Sequence, residues 1–483
     1  MSGPGWSSAA FADLGRLLEE RSGLSFEPLR CESVETGASR AMARAGIDDE
    51  AEYLAALRAE RAPLDDLIAE VTIGETYFFR DPAQFEFLRR EVLPDRARGG
   101  GAPIRLWSAG CASGEEAYSL AILLEQEGLV ERAGVLATDV SRRSLAAARR
   151  ASYTAWSLRG VDPALVERHF RRDGAMWVLD ERIRRRVGFE YLNLALDAYP
   201  SLANGLWGLD VILCRNVLIY FGRRAVAHVA RRLYDSLAEG GWLIAGASDP
   251  PLAEEAPFEV VVARDGVFYR RGKRPIACAF QTLQPVAVAA LEAPESELAR
   301  PDPLREANPA PTASVVRDVL SEARSALDRG EWEAALRLAA EAGEVEAADA
   351  LRVRATANLR GPAEAASAAV RACVRHPLSA ELRFLAGVLL WTLGRDGEAQ
   401  RELRRALYLD RSLAVAHFVL GAVLARIGDA EGARRAYRNA QRIAEGMPAG
   451  APVPLADGEP AGRLAEAARA AIALLDAPVE ANA

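Results

Sequence analysis

Residues 104–119 read Ile104-Arg105-Leu106-Trp107-Ser108-Ala109-Gly110-Cys111-Ala112-Ser113-Gly114-Glu115-Glu116-Ala117-Tyr118-Ser119. Ile104 to Trp107 has the composition of a short strand and stops in a loop of small residues, Ser108 to Gly114. Glu115 to Leu124 then carries apolar residues at helical spacing. Strand, small-residue turn and helix in that order begin an α/β unit. The glycines and alanines let the backbone approach a ligand closely, and the helix presents its N-terminus to it. The turn lacks GxGxxG spacing, so dinucleotide binding is not indicated.

Reading outward, Val135 to Thr138 is a second strand ending at Asp139, and Ser141 to Arg150 a second helix. Leu209 to Cys214 reads as a buried strand, followed by a helix from about Arg223 to Ala238. Gly240-Gly241 turns into the strand Trp242 to Gly246, and Glu259 to Ala263 with Val267 to Arg270 form a closing hairpin. This alternation predicts an α/β fold with a mainly parallel, Rossmann-like sheet covered by helices on both faces. The stretch 153–190 breaks the alternation and predicts a small antiparallel insertion.

Flanking the sheet region are two helical regions. Phe11, Leu14, Leu17 and Leu18, then Tyr53, Leu54 and Leu57, predict an N-terminal helical domain over 6–92, with the sheet domain over 93–271. Residues 272–313 are rich in Pro, Ala and Glu and read as a linker. Beyond it, Leu359, Leu393 and Ile427 stand 34 residues apart, as do Ala365, Ala399 and Ala433, and Ala372, Ala406 and Ala440. That period is the tetratricopeptide signature and predicts an all-α repeat domain over 314–446. A displaced earlier copy lies at Gly330 to Leu336. The tail, 447–483, is first Pro/Gly-rich and then amphipathic from Arg463 to Ala477.

Composition narrows the chemistry. The net charge of −8 argues against a nucleic-acid partner, which needs a basic surface. The five cysteines and four histidines are scattered without metal-ligand spacing, so no metal is expected. No apolar run approaches the roughly 18 residues of a membrane span, and the first residues do not read as a signal peptide, so the expected place is the cytoplasm without membrane insertion.

Three clusters carry the candidate chemistry. Asp139, closing the second strand, can accept both ribose hydroxyls of an adenosine, or it can cap the helix after it; the residue alone does not choose. Thr72 to Asp81, with Thr76-Tyr77-Phe78-Phe79-Arg80 at its heart, combines aromatics with a cation and is compatible with ordinary packing. Arg215-Asn216 follow an apolar strand at the sheet edge where ligands bind, and packing alone does not account for them.

Taken in order, Glu75 to Arg80, Trp107 to Ser119, Thr138-Asp139, and Cys214-Arg215-Asn216-Val217-Leu218-Ile219-Tyr220-Phe221 closely resemble the bacterial chemotaxis receptor methyltransferases, the CheR family, over about residues 10–271. The resemblance implies an S-adenosylmethionine-dependent protein-glutamate O-methyltransferase that leaves S-adenosylhomocysteine. Its substrate would be the cytoplasmic domain of membrane chemoreceptors. By the same resemblance Thr76 and Arg80 line the cofactor and substrate cleft, and Glu116 holds the methionine end of the cofactor. Asp139 binds the ribose, Asn193 and Leu194 flank the adenine, Arg215 and Asn216 add cofactor contacts, and Tyr220 positions substrate beside Arg80. Gly74 stands where the family often has Asn, so a side-chain contact there is lost or replaced by backbone, and Gly246-Ala247-Ser248-Asp249 replaces Gly-His-Ser-Glu. The repeats imply a protein partner on their surface. The alternative is a non-catalytic, cofactor-binding adaptor that works through those repeats.

Overall fold

The computed structural model describes residues 6–26, 31–59, 61–72, 74–98, 103–272 and 313–476. The first strand, β1 (Ile104–Ala109), is buried at every position except Arg105, as suits a strand covered on both faces. The others are β2 (Ala133–Asp139), β3 (Ser152–Tyr153), β4 (Phe170–Asp173), β5 (Met176–Leu179), β6 (Val187–Tyr191), β7 (Leu209–Cys214), β8 (Leu237–Ala245), β9 (Phe258–Ala263) and β10 (Gly266–Arg271). Seven of them form one sheet in the order β6-β2-β1-β7-β8-β10-β9. The first five run parallel, and β10 and β9 close the edge as an antiparallel hairpin. Strand order reverses between β1 and β7, which opens a crevice at their carboxyl ends.

The predicted insertion is present as the antiparallel sheet β3-β5-β4, but it ends sooner than 190. Val187–Tyr191 belongs to the main sheet, paired parallel with β2 as its edge strand. Its half-polar sequence reflects that edge position, where only one side is paired. The Gly240-Gly241 pair does not separate helix from strand. The helix ends at Ser236, β8 starts at Leu237, and the glycines lie inside it, next to the register irregularity opposite Leu209–Val211.

In the N-terminal region, helices Ser8–Ser22, Cys31–Ala45, Glu50–Arg58 and Leu64–Val71 bury Leu14, Leu18, Tyr53, Leu67 and Val71 in one cluster. The next helical run, Pro82–Phe87, Leu88–Val92 and Leu93–Arg98, buries Phe85, Phe87, Leu88 and Val92 in the cluster of the sheet.

In the repeat region, the first helices of three successive pairs begin at Glu346, Ala380 and Ala414 and the second helices at Pro362, Asp396 and Ala430, each 34 residues after the last. Gly387 and Gly421 share that spacing and mark where the helices of a pair cross. A Cβ would lie 2.7 Å from Leu403 in the first case and 2.7 Å from the Tyr437 ring in the second. The displaced earlier copy is the pair Ala313–Asp328 and Trp332–Glu341. The final helix, Ala461–Asp476, buries Leu464 and Ala465 with the repeats and Leu474 with the sheet domain. Apart from their outermost positions, the expected linker residues lie outside the described residues.

Candidate active site

The cavity at the crevice measures about 300 Å³. It is lined by Gly74, Thr76, Arg80, Glu116, Asp139, Asn193, Leu194, Arg215, Asn216 and Tyr220, so every residue given a site role reaches one place, while Phe78 and Phe79 beside Thr76 pack into the core of the sheet domain. Ser22, Leu24, Val140, Ser144, Val217 and Ser248 also line it and were not anticipated. Leu24 arrives because Gly23 ends the first helix in a left-handed turn, after which Leu24 bridges to Phe221 and Ser25 N–H donates to the Tyr220 carbonyl (2.8 Å).

The loop after β1 is fixed by β2. Gly110 and Cys111 N–H both donate to the Thr138 carbonyl, and the buried Trp107 indole donates to Thr138 Oγ1 (2.9 Å). Gly110 has φ 76°, and a Cβ on it would stand 2.4 Å from Val217 Cγ2, so only glycine allows this loop to pass β7's exit. Asp139 accepts Ala112 N–H on Oδ2 and Ser141 N–H on Oδ1, both at 2.8 Å. The helix cap is Ser141, whose Oγ accepts Ser144 N–H. Asp139 therefore organises the loop and keeps lone pairs for a ligand. Burial pushes its pKa above the ordinary carboxylate value, against the pull of those N–H groups.

Arg215, 1% exposed, leaves β7 and ties three elements together. Its Nη1 donates to Glu116 Oε2 (3.1 Å), and its Nη2 donates to Asp81 Oδ2 (2.7 Å) and to the Arg80 carbonyl. Glu116 Oε1 accepts from Ser108 Oγ (2.7 Å). Burial raises the Glu116 pKa, and the Arg215 guanidinium opposes that rise. Arg80 donates through Nη1 to the Glu75 carbonyl (2.9 Å), which holds its guanidinium at the cavity wall.

Asn216 adopts φ 59°, stabilised because its N–H donates to Asp249 Oδ2, which also accepts Gly246 N–H (2.8 Å). Asp249 and Asp81 were not read as functional. Their signals were an acid at the end of Gly246-Ala247-Ser248-Asp249 and an acid directly after Arg80. Gly74 faces open space, with nothing within 4 Å of a built Cβ.

Two buried amide atoms, Asn193 Nδ2 and Asn216 Oδ1, have no partner among the described residues, although both side chains belong to cavity-lining residues. An unmet buried polar group costs about 1–3 kcal/mol, so a polar ligand that supplies one acceptor and one donor fits this cavity. With the carboxylates of Asp139 and Glu116 beside them, the donor set suits an adenosine carrying a cationic, amino-acid-like tail.

The family described as CheR methyltransferase, SAM binding domain, matches residues 74–267. The probable biofilm formation methyltransferase WspC of Pseudomonas aeruginosa is 34% identical over 437 residues, covering 88% of this chain and 97% of that protein. The chain belongs to the CheR methyltransferase family. Chemotaxis protein methyltransferase 1 of the same organism is 35% identical over 276 residues, covering 54% of this chain and 99% of that protein. The CheR relative WspC thus extends across the repeats as well. Among solved structures, a thermophilic TPR protein from Thermus thermophilus covers 27% of this chain and 74% of its own, at 21% identity and a TM-score of 0.25. The repeat assignment in this CheR protein rests on the period and the helix pairs. Among the described residues no helix is long and apolar enough to cross a membrane.

Proposed function

We propose that this CheR protein transfers a methyl group from S-adenosylmethionine to glutamate side chains in the cytoplasmic domain of membrane chemoreceptors, working in the cytoplasm with a protein partner on its repeats. The observation that supports it is the convergence of Arg80, Glu116, Asp139, Asn193, Arg215, Asn216 and Tyr220 on one cavity at the strand-order reversal. Bound there, S-adenosylmethionine supplies an electrophilic sulfonium methyl. Asp139 holds ribose hydroxyls with lone pairs its backbone donors leave free. Asn193 Nδ2 and Asn216 Oδ1 give the unmet donor and acceptor, and Glu116 faces the cationic tail. Arg215 touches the Glu116 and Asp81 carboxylates and the Arg80 carbonyl, so its work is positioning.

A glutamate side chain, with a reference pKa of about 4.3, is ionised at neutral pH and attacks without a general base. Arg80 orients that carboxylate by a charge-assisted contact, and Tyr220 completes the positioning. Orientation of this kind is worth roughly 7–11 kcal/mol in well-aligned reactions. The test is transfer of radiolabelled methyl groups to receptor-rich membranes followed by alkaline treatment. Volatile methanol marks a glutamyl ester. Base-stable label would exclude it, and absent label with intact cofactor binding would favour the adaptor reading.

A further inference from the structure

The repeats do not stand apart from the catalytic domain. Leu202, Ala203 and Trp207, from the loop between β6 and β7, share one apolar cluster with Leu382, Trp391 and Val415 of the repeats. Along this seam the segment after the last repeat supplies acids to the same loop. Asp457 Oδ2 accepts Ser201 Oγ (2.9 Å) and Leu202 N–H (3.1 Å), while Asp457 Oδ1 accepts from Arg354 of the repeats. Glu459 Oε2 accepts Ala198 N–H (2.7 Å). Arg463 lies 3.8 Å from Asp197 Oδ1, and Glu466 accepts from both Arg142 (3.4 Å) and the Tyr191 hydroxyl (3.3 Å).

These contacts lead into the active site in one further step. Asp197 Oδ2 accepts Asn193 N–H at 2.6 Å, and the Asn193 side-chain oxygen accepts Ala195 and Leu196 N–H. Asp197 therefore closes the turn that carries Leu192, Asn193 and Leu194 to the cavity wall. Leu192 also lines a second cavity, of about 50 Å³, in the seam itself.

We propose that Asp457 and Glu459 are positioning residues for the cofactor: by gripping the 198–202 backbone they hold the Leu192–Asp197 turn in its binding shape, so docking of the repeats and cofactor affinity are coupled. This rests on the reading of the cavity as the S-adenosylmethionine site. Coupling is reciprocal, so cofactor binding tightens the seam by the factor by which the seam tightens cofactor. A partner that pulls the repeats away lowers cofactor affinity, whereas one that binds the docked form raises it.

The experiment titrates S-adenosylhomocysteine into the full chain and into Asp457→Ala/Glu459→Ala, with Glu459→Gln as the conservative variant. Circular dichroism and amide exchange at Ala198 and Leu202 are followed alongside. The double variant should stay helical, lose protection at those two amides and bind about tenfold more weakly, a usual size for coupled sites. Its KM for S-adenosylmethionine should rise with kcat held. Glu459→Gln keeps an acceptor for Ala198 N–H and should bind like the parent. Affinity within twofold of the parent in the double variant overturns the proposal, because the substitutions themselves remove the contacts. Weak binding with global loss of helix overturns it too, as a mere folding effect. If the parent chain binds no S-adenosylhomocysteine, the cavity assignment itself fails, an outcome distinct from either.

Discussion

Asp139 offers the sharpest test of the cavity, because its two possible roles separate experimentally. Asp139→Ala removes the acceptors of Ala112 and Ser141 N–H, each held at 2.8 Å. Burial outweighs these bonds in setting the Asp139 charge, so the loss is chiefly that of leaving two N–H groups unpaired, offset in part by removal of the buried carboxylate, and about 1–3 kcal/mol of stability should go. On binding, two ribose hydroxyl contacts at about 1.5 kcal/mol each make about 3 kcal/mol, or roughly a hundredfold in Kd. Asp139→Asn is not neutral either. With both oxygens engaged by N–H groups, the new amide must turn its NH₂ toward one of them, so affinity should fall between parent and alanine. Ser141→Ala removes only the helix cap and should cost about 1 kcal/mol of stability while leaving affinity unchanged. Calorimetric titration with S-adenosylhomocysteine, paired with thermal unfolding, reads both quantities. A folded Asp139→Ala protein that binds within threefold of the parent would refute the ribose assignment.

Gly110→Ala places a methyl 2.4 Å from Val217 Cγ2 at φ 76°, so it should lose about 1–3 kcal/mol of stability and most cofactor affinity, with partial recovery on adding Val217→Ala, as read by unfolding and titration. Arg215→Ala strands the buried end of Glu116 and should cost about 3 kcal/mol or more, whereas Arg215→Lys keeps the charge but cannot reach Glu116 and Asp81 together and should fall between, in melting temperature and in KM alike. Gly74→Asn meets open space, and one added hydrogen bond of about 1 kcal/mol should tighten S-adenosylhomocysteine binding about fivefold; unchanged titration would show that the backbone already serves there. The seam should respond to pH. Burial raises Glu459 to about 8, with Asp197 adding to the rise and Ala198 N–H, Arg463 and Arg232 opposing it. Burial likewise raises Asp197 to about 6, with Asn193 N–H, Arg463 and Arg232 opposing the rise and Glu466 adding to it. Acids raised on folding contribute stability that is complete below their unfolded values and lost as pH climbs through the folded ones. Amide protection at Ala198, after correction for the intrinsic pH dependence of exchange, should therefore decline from pH about 4 to about 8, and Glu459→Gln should flatten the upper part of the decline.

Much of this site could be read in the chain because its chemistry is local. The turn after β1, the acid ending β2 and the Arg-Asn pair ending β7 each sit at the end of an apolar strand, so strand ends alone predict that they share one sheet edge. The repeats were legible for a similar reason, since a strict spacing of small residues follows from helices that cross at Gly387 and Gly421. Val187–Tyr191 was harder. An edge strand is buried on fewer sides, so its alternation is half polar, and the arginines Arg184-Arg185-Arg186 before it suggest a solvated segment. Asp81 and Asp249 were missed because partners that fix their roles, Arg215 and the Asn216 N–H, lie far along the chain, and their neighbours mark an acid without saying what it meets.

The seam marks where such reading stops. Asp457, Glu459 and Glu466 lie in or just after a Pro/Gly-rich stretch, where acids ordinarily face water, and the groups they meet at Ala198 and Leu202 are backbone amides without any sequence signature. A repeat module read from its period alone looks separable, and deleting it would be expected to spare the cofactor. The contacts argue otherwise. The side of the repeats formed by their leading helices carries Trp391, Val415 and Phe418 toward the 198–207 loop, so part of the surface expected to wait for a partner is already filled by the enzyme's own chain. A partner of the repeats must then either use a different face or compete with that loop. Because the loop continues into the turn bearing Asn193, such competition reaches the active site through two hydrogen bonds, Glu459 to Ala198 and Asp197 to Asn193. For a partner that takes this face, binding to the repeats and cofactor loading are then linked, whereas one that takes another face leaves the cofactor site untouched.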